Sequence, residues 1–298
     1  MYRIDAERQF PQSPQDYGIP TSLPEQDLPL ETLQGIKANF VAELRSAHAA
    51  YLTRGENTTS LPFLVNRFTL PREPLAPNGV PFQVLVIGGT DIVRAICIRD
   101  NGQLKIVDKH RPAPVPQVRT LDQLHQFMEA AIDPGVSAVA INIATTMQQF
   151  FDGKKMDGIL RDYDDTRAIA VPELVGKPFG PVVEEHFRAT RGSDFTVSVA
   201  GDGLCQVLAG RVLTSEDNIA FGVVGTGYNM GLLLSADTFV NLDAASFDKF
   251  PAGDLARFLA SNQVPVGYLG KRLMEQIFIN TSITYFFMHR SYQQKNYL

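Results

Sequence analysis

Residues 84–95 read VLVIGGTDIVRA, an apolar run that breaks at Gly88-Gly89-Thr90-Asp91 and resumes at once. Short apolar runs bounded by turn formers predict two β-strands joined by a tight reversal. Many residue types can make a turn, so two glycines followed by a hydroxyl ask for a further reason. Glycine lets main-chain N–H groups come close to an anion, and a threonine hydroxyl stands ready beside them. Taken alone the segment reads as a hairpin turn, because glycine and aspartate are ordinary there. Its neighbours along the chain decide whether it is also a phosphate site.

Two later segments bear on that choice. In VAGDGLCQVLAG, residues 199–210, an apolar strand ends at Gly201-Asp202-Gly203 and a helix opens, which puts one carboxylate at the end of the strand. In VVGTGYNMG, residues 223–231, a second glycine turn, Gly225-Thr226-Gly227, separates two apolar runs. Each has an ordinary reading by itself, the first as a helix N-cap and the second as a β-turn. Neither glycine turn continues into Gly-Lys-Ser/Thr, and neither is a GxGxxG fingerprint. The order of glycine loop, strand-end carboxylate and second glycine loop is the one that phosphoryl transfer needs.

The rest of the chain alternates helices and strands. Residues 1–30, rich in Pro, Gln and Asp, read as an irregular arm. Leu33, Ile36, Phe40, Val41, Leu44 and Ala47 recur at helical spacing, and Gly55 ends that helix. A proline-punctuated connector leads to strands at 82–87, 92–99 and 103–107, the last two joined by Asn101-Gly102. Thr120, with Gln123 three residues on, predicts the capped start of a helix. Residues 137–146 read as a buried strand, 176–190 as a helix, and 204–213 as the helix after Asp202. Residues 266–287 read as helical to aromatic-rich. Such alternation defines the α/β class.

Composition sets further bounds. With 298 residues and 44% hydrophobic content the chain can bury one large core or two medium ones. Acidic residues outnumber basic ones 32 to 27, and no basic block tracks a phosphate backbone, so no nucleic-acid partner is expected. No apolar stretch approaches the roughly 18 residues of a membrane span, and no signal pattern opens the chain. The expectation is a soluble cytoplasmic protein without a membrane partner. Cys97 and Cys205 each lie inside apolar runs, as buried reduced thiols do, and the five scattered histidines offer no zinc spacing.

From about residue 33 onward these segments resemble the eukaryotic-type hexokinase family. FVAELRSAHAAYLTRG and SLPFLVNRF are similar to its N-terminal helix and following segment, VIGGTDIVRA to its first phosphate loop, and FTVSVAGDGLCQVLAGRV to its base-bearing strand and helix. GVVGTGYNMGLLL resembles the second phosphate loop, VNLDAASFDKF a sugar-contacting segment, and GYLGKRLMEQIF a later helix. The resemblance implies a two-lobed actin-like ATPase (ribonuclease H-like) fold that is incomplete at its C-terminal end. It divides the chain into residues 31–79 packed on the large domain, a small domain at 80–200, and a partial large domain at 201–298. The implied reaction transfers the γ-phosphate of ATP to the 6-hydroxyl of a hexose, with Mg2+ as the metal.

Residue by residue, the resemblance makes Asp202 the general base and Thr166, Arg167, Asn229, Asn241 and Asp243 the sugar contacts. Gly88, Gly89, Thr90, Arg94, Gly225, Thr226 and Gly227 fall on the phosphate loops, and Asp91 is the remaining carboxylate for a metal. The chain also departs from the family. Val86 stands where an aspartate organises the metal's waters, Gly201 replaces an asparagine, Ala144 a serine, and the second sugar-binding glutamate falls near Ser261. Two alternatives to a kinase therefore stand: a sugar-binding or regulatory relative with impaired catalysis, and a shortened hexokinase. In the second, the apolar helix before Leu298 needs a partner or self-association to cover it.

Overall fold

The computed structural model describes residues 30–67, 69, 73–161, 163, 167–192, 194–213, 219–224, 228–247 and 249. Except for Leu30, the expected N-terminal arm lies outside them, as does the expected helix at 266–287. Helix α1 (Leu30–Thr53) and strand β1 (Leu64–Arg67) come first, followed by β2 (Phe82–Ile87), β3 (Asp91–Asp100) and β4 (Gln103–Lys109). These three strands form an antiparallel meander. Asn101 and Gly102 have φ of 50° and 82° in the β3–β4 turn, the left-handed geometry that the Asn-Gly pair predicts. The short β5 (Ala113–Pro114) pairs with β3.

After helix α2 (Leu121–Ala131), strand β6 (Ala138–Ile143) enters parallel to β2. The N-terminus of α2 is capped as expected: Thr120 accepts the Gln123 N–H at 3.2 Å, and Gln123 Oε1 accepts the Arg119 N–H at 2.7 Å. A hairpin of β7 (Met147–Phe151) and β8 (Met156–Leu160) follows, then helix α3 (Phe179–Arg191) and strand β9 (Thr196–Gly201), which lies parallel to β6. The sheet order is β4-β3-β2-β6-β9. Leu85, Ile87, Ile141, Ile143, Val197 and Val199 share one core with Leu124 and Met128 of α2 and Phe179, Val183 and Phe187 of α3.

Two buried carboxylates anchor α3. Pro178 gives its N-terminus no side-chain cap, so Asp157 of β8 serves instead, its Oδ1 accepting from Gly180 N at 3.0 Å and Gly158 N at 2.7 Å. An anion is favoured there by the helix dipole. Glu184 is 4% exposed and fully engaged, by Lys155, by Arg188 and by the Val197 N–H. A buried charge is tolerable only with such partners.

Helix α4 (Asp202–Leu213) leaves β9 without an intervening residue, and an antiparallel sheet completes the described chain. It contains β10 (Ile219–Val224), β11 (Tyr228–Ser235) and β12 (Thr238–Asn241), with β1 added beyond β12 in the order β1-β12-β11-β10. Leu204 and Val207 of α4 pack on Ile219, Leu233 and Phe239, while Ala47 of α1 joins Phe63, Val240 and Leu242. The antiparallel sheet is tied to the β7–β8 hairpin through Asn66 of β1, wholly buried, whose Oδ1 accepts from the Gln148 side chain and from Gln149 N at 2.8 Å. No helix of the described residues is long and apolar enough to cross a membrane.

Gly231 is fixed by packing. A Cβ there would lie 2.6 Å from the Phe239 ring, 2.9 Å from Val207 Cγ2 and 3.0 Å from the Gly203 carbonyl. Gly231→Ala is expected to lower stability by about 1–3 kcal/mol through overpacking. Urea unfolding monitored by circular dichroism would read this as a lower midpoint, and an unchanged midpoint would refute it.

Candidate active site

Three connections emerge along one line. The registers of β2, β6 and β9 align Ile87, Ile143 and Gly201, so the residues after each strand leave the sheet side by side. In open α/β sheets, ligands bind beyond such carboxyl ends. A small pocket there is lined by Gly88 and Gly89 after β2, by Ala144 and Thr145 after β6, and by Arg167.

The turn after β2 is tight. Gly88 N donates to the Asp91 carbonyl at 2.9 Å, and a Cβ at Gly88 would approach that oxygen to 3.1 Å. Glycine at 88 thus serves close approach of backbone to backbone. Thr90 and Asp91 are exposed, and the Thr90 hydroxyl donates to Asp91 Oδ2 at 3.4 Å. Arg94 turns elsewhere: its Nη1 donates to the Ala130 carbonyl at the end of α2, at 3.3 Å, an engagement that the sequence could not show.

Asp202 is the first residue of α4. Its Oδ1 accepts from Gly203 N at 2.7 Å and from Asn229 Nδ2 of β11 at 3.4 Å. Asn229 Oδ1 in turn accepts from Met230 N at 2.8 Å and Ala244 N at 3.4 Å, which fixes the direction of its amide. Asn241, buried at the end of β12, accepts from Asp243 N at 3.0 Å. Asp243 takes the left-handed conformation, φ 44°, and its Oδ2 accepts from the Ser246 hydroxyl at 3.0 Å. Gly203 lies between the two asparagines, since a Cβ there would stand 3.4 Å from Asn229 Nδ2 and 3.8 Å from Asn241 Oδ1.

Burial pushes the Asp202 carboxyl above the ordinary carboxylate range, and the negative charge of Asp243 adds to this. The Gly203 N–H, the Asn229 amide and the positive charge of Arg167 act against it. Asp202 nevertheless keeps a part-exposed surface. A carboxylate with raised affinity for a proton, within reach of a ligand, is equipped for general base work. The structure therefore brings Asp202, Arg167, Asn229, Asn241 and Asp243 into one neighbourhood. Thr166, Gly225, Thr226, Gly227 and Ser261 lie outside the described residues.

Sequence reasoning missed several neighbours. Cys205, on the first turn of α4, is a free thiol pushed up to about 12, chiefly by burial and then by the Asp202 charge, with the Asn142 amide opposing. It is a neutral thiol and no nucleophile. Asn142 could have been found as the one polar side chain in the apolar run AVAINIA. Gln149 of β7, 3% exposed, had no such signal.

Val86 does not fit the Mg2+ that the sequence resemblance implies. Leu85 and Ile87 are buried, whereas Val86 faces the other way, 40% exposed, level with Val93 and Asn142 on the adjoining strands. A valine offers no oxygen to a hard cation or its waters. Among the described residues no three His, Cys, Asp or Glu side chains converge where a metal could be held.

No protein-family model matches the sequence, and no curated protein does. Among solved structures, the fold is similar to that of a crystal structure of hexokinase, with a TM-score of 0.57 at 16% identity, over 86% of this chain and 62% of that one. It is also similar to that of hexokinase from Schistosoma mansoni complexed with glucose, with a TM-score of 0.54 at 14% identity, over 89% and 66% of the two chains. The chain thus has a mixed α/β hexokinase fold of the actin-like ATPase type, and it spans less than two thirds of the length of either hexokinase.

Asp202 provides a test that needs no ligand. Because its folded pKa lies above the unfolded value of about 3.9, the native state keeps a proton that the unfolded chain loses, and stability falls as pH rises between the two. Asp202→Asn removes that loss. It is expected to raise the thermal midpoint at pH 7 and to flatten its pH dependence above about pH 4. A lower midpoint than that of the unaltered protein at pH 7 would contradict the burial of an ionised carboxylate at this position.

Proposed function

We propose that the chain is a sugar kinase, with Asp202 the base that activates a sugar hydroxyl. The observation that carries this reading is the neighbourhood of Asp202, Arg167, Asn229, Asn241 and Asp243 beside the Gly88-Gly89 turn, in a hexokinase fold. The asparagines and Asp243 offer the mixed donors and acceptors that hydroxyl groups need. Asp202 takes the proton as the hydroxyl oxygen bonds to the γ-phosphorus of ATP, and the bond to the β-phosphate bridging oxygen breaks to release ADP. Arg167, near both the glycine turn and Asp202, supplies positive charge where the transferred group passes. A hexose accepting at its 6-hydroxyl is the acceptor that the sequence resemblance favours.

Val86 favours a second reading, sugar binding without efficient transfer, because the chain lacks a carboxylate where one would organise a metal. One experiment separates the two. Coupled ADP release with ATP and a panel of hexoses is expected to show hexose-dependent turnover that falls about 10²–10⁴-fold in Asp202→Asn. Equal background rates in both proteins, with hexose binding retained by calorimetry, would leave the binding reading. Equal background rates with no hexose bound would overturn both.

A further inference from the structure

Next to the base lies a buried carboxamide without a partner. Gln149 is 3% exposed and held in β7 by the bond from its N–H to Asn66 Oδ1, yet among the described residues neither its Nε2 nor its Oε1 has a hydrogen-bond partner. Buried amides are almost always paired, because leaving one unpaired costs the full loss of its hydration. Two glycines border this one. At Gly158, across the hairpin, a Cβ would stand 2.9 Å from Gln149 Nε2 and 2.8 Å from Met147 Sδ, so the amide occupies the room of a side chain. At Gly201, one residue before Asp202, a Cβ would stand 3.6 Å from the same Nε2 and 3.4 Å from the Thr145 carbonyl. Those are ordinary contact distances. The position that a side chain at 201 would take is flanked by one donor and one acceptor.

We propose that Gln149 Nε2, the Thr145 carbonyl and the side-chain-free face of Gly201 form a hydroxyl-binding subsite beside Asp202. A neutral hydroxyl suits it because it accepts from the amide and donates to the carbonyl; an anion would meet the carbonyl, and a cation the amide hydrogens. The amide reaches in from β7 to the place where the resembling family carries an asparagine on β9. The oxygen belongs either to an ordered water or to a hydroxyl of the bound sugar, and only the second source rests on the sugar kinase reading.

Two substitutions in the full chain test this. Gly201→Ala fits by distance and fills the subsite, while Gln149→Leu removes the donor at similar volume. A crystal structure is expected to show an oxygen within hydrogen-bond reach of Gln149 Nε2, in the unliganded or the hexose-soaked protein, and to lose it in Gly201→Ala. Both variants are expected to keep or raise the thermal midpoint and to weaken hexose binding in calorimetry by about tenfold, the scale of one net hydrogen bond. Deoxyhexoses identify the source. If a sugar hydroxyl occupies the subsite, one deoxy analogue binds wild type weakly and loses nothing further in the variants; if water does, every analogue weakens alike. An empty subsite in both wild-type crystals overturns the proposal, as does unaltered hexose binding in both variants. Should no hexose bind the wild type, the sugar reading fails while the crystallographic oxygen and its loss in Gly201→Ala still decide the subsite.

Discussion

The structure depends on the shared register of three parallel strands. Parallel pairing requires each connection to travel the length of the sheet, and here α2 and α3 are the principal helices of those connections, packed into one core against the same face. That leaves the other face, with Val86, Asn142 and Ala200 in a row, turned away from α2 and α3, and α4 meets it at Asn142 and Ala200. It also brings the glycine turn, the Ala144-Thr145 step and the start of α4 out at the same level. A shift of one residue between β6 and β9 would reverse which face each side chain of the slipped strand meets. The site is therefore a product of sheet register before it is a product of side-chain identity.

The second constraint is electrostatic. Asp202 lies where burial disfavours its charge and where only one backbone N–H, one amide and a nearby guanidinium offset that cost. Chains keep such groups at sites because the chemistry needs a proton acceptor that water would otherwise weaken. Asp157 sits in a comparable environment with two backbone donors and no ligand-facing role in this reading, since it caps α3. What separates the two carboxylates is access and company: Asp157 is sealed, whereas Asp202 keeps surface beside Asn229 and Arg167.

Much of this could be read from the residues. Strand β2 begins and ends where its apolar run does, the Asn101-Gly102 reversal takes the predicted left-handed geometry, and Thr120 caps α2. Asp202 stands at a strand end, as its position between an apolar run and a helical pattern implies. The β7–β8 hairpin was illegible because its buried positions carry Gln149, Asp157 and Gly158, which erase the alternation that marks a half-buried strand. Arg94 was illegible for another reason. A long side chain beside a glycine turn can reach several partners, and only tertiary packing directs it to the end of α2. Gln149 belongs to the same class, its significance arising from strands distant in sequence, whereas Asn142 was signalled by its polarity within an apolar run.

Asn66 has a mechanical consequence. It splices β1, whose neighbour β12 ends in Asn241, to β7, which carries Gln149, through one amide with no solvent beside it. Pulling β1 and β7 apart there would strand a buried carbonyl oxygen and a backbone N–H, at about 1–3 kcal/mol each. Any displacement of the antiparallel sheet against the β7–β8 hairpin that opens this amide therefore carries that cost, which makes Asn66 a fixed point between the two.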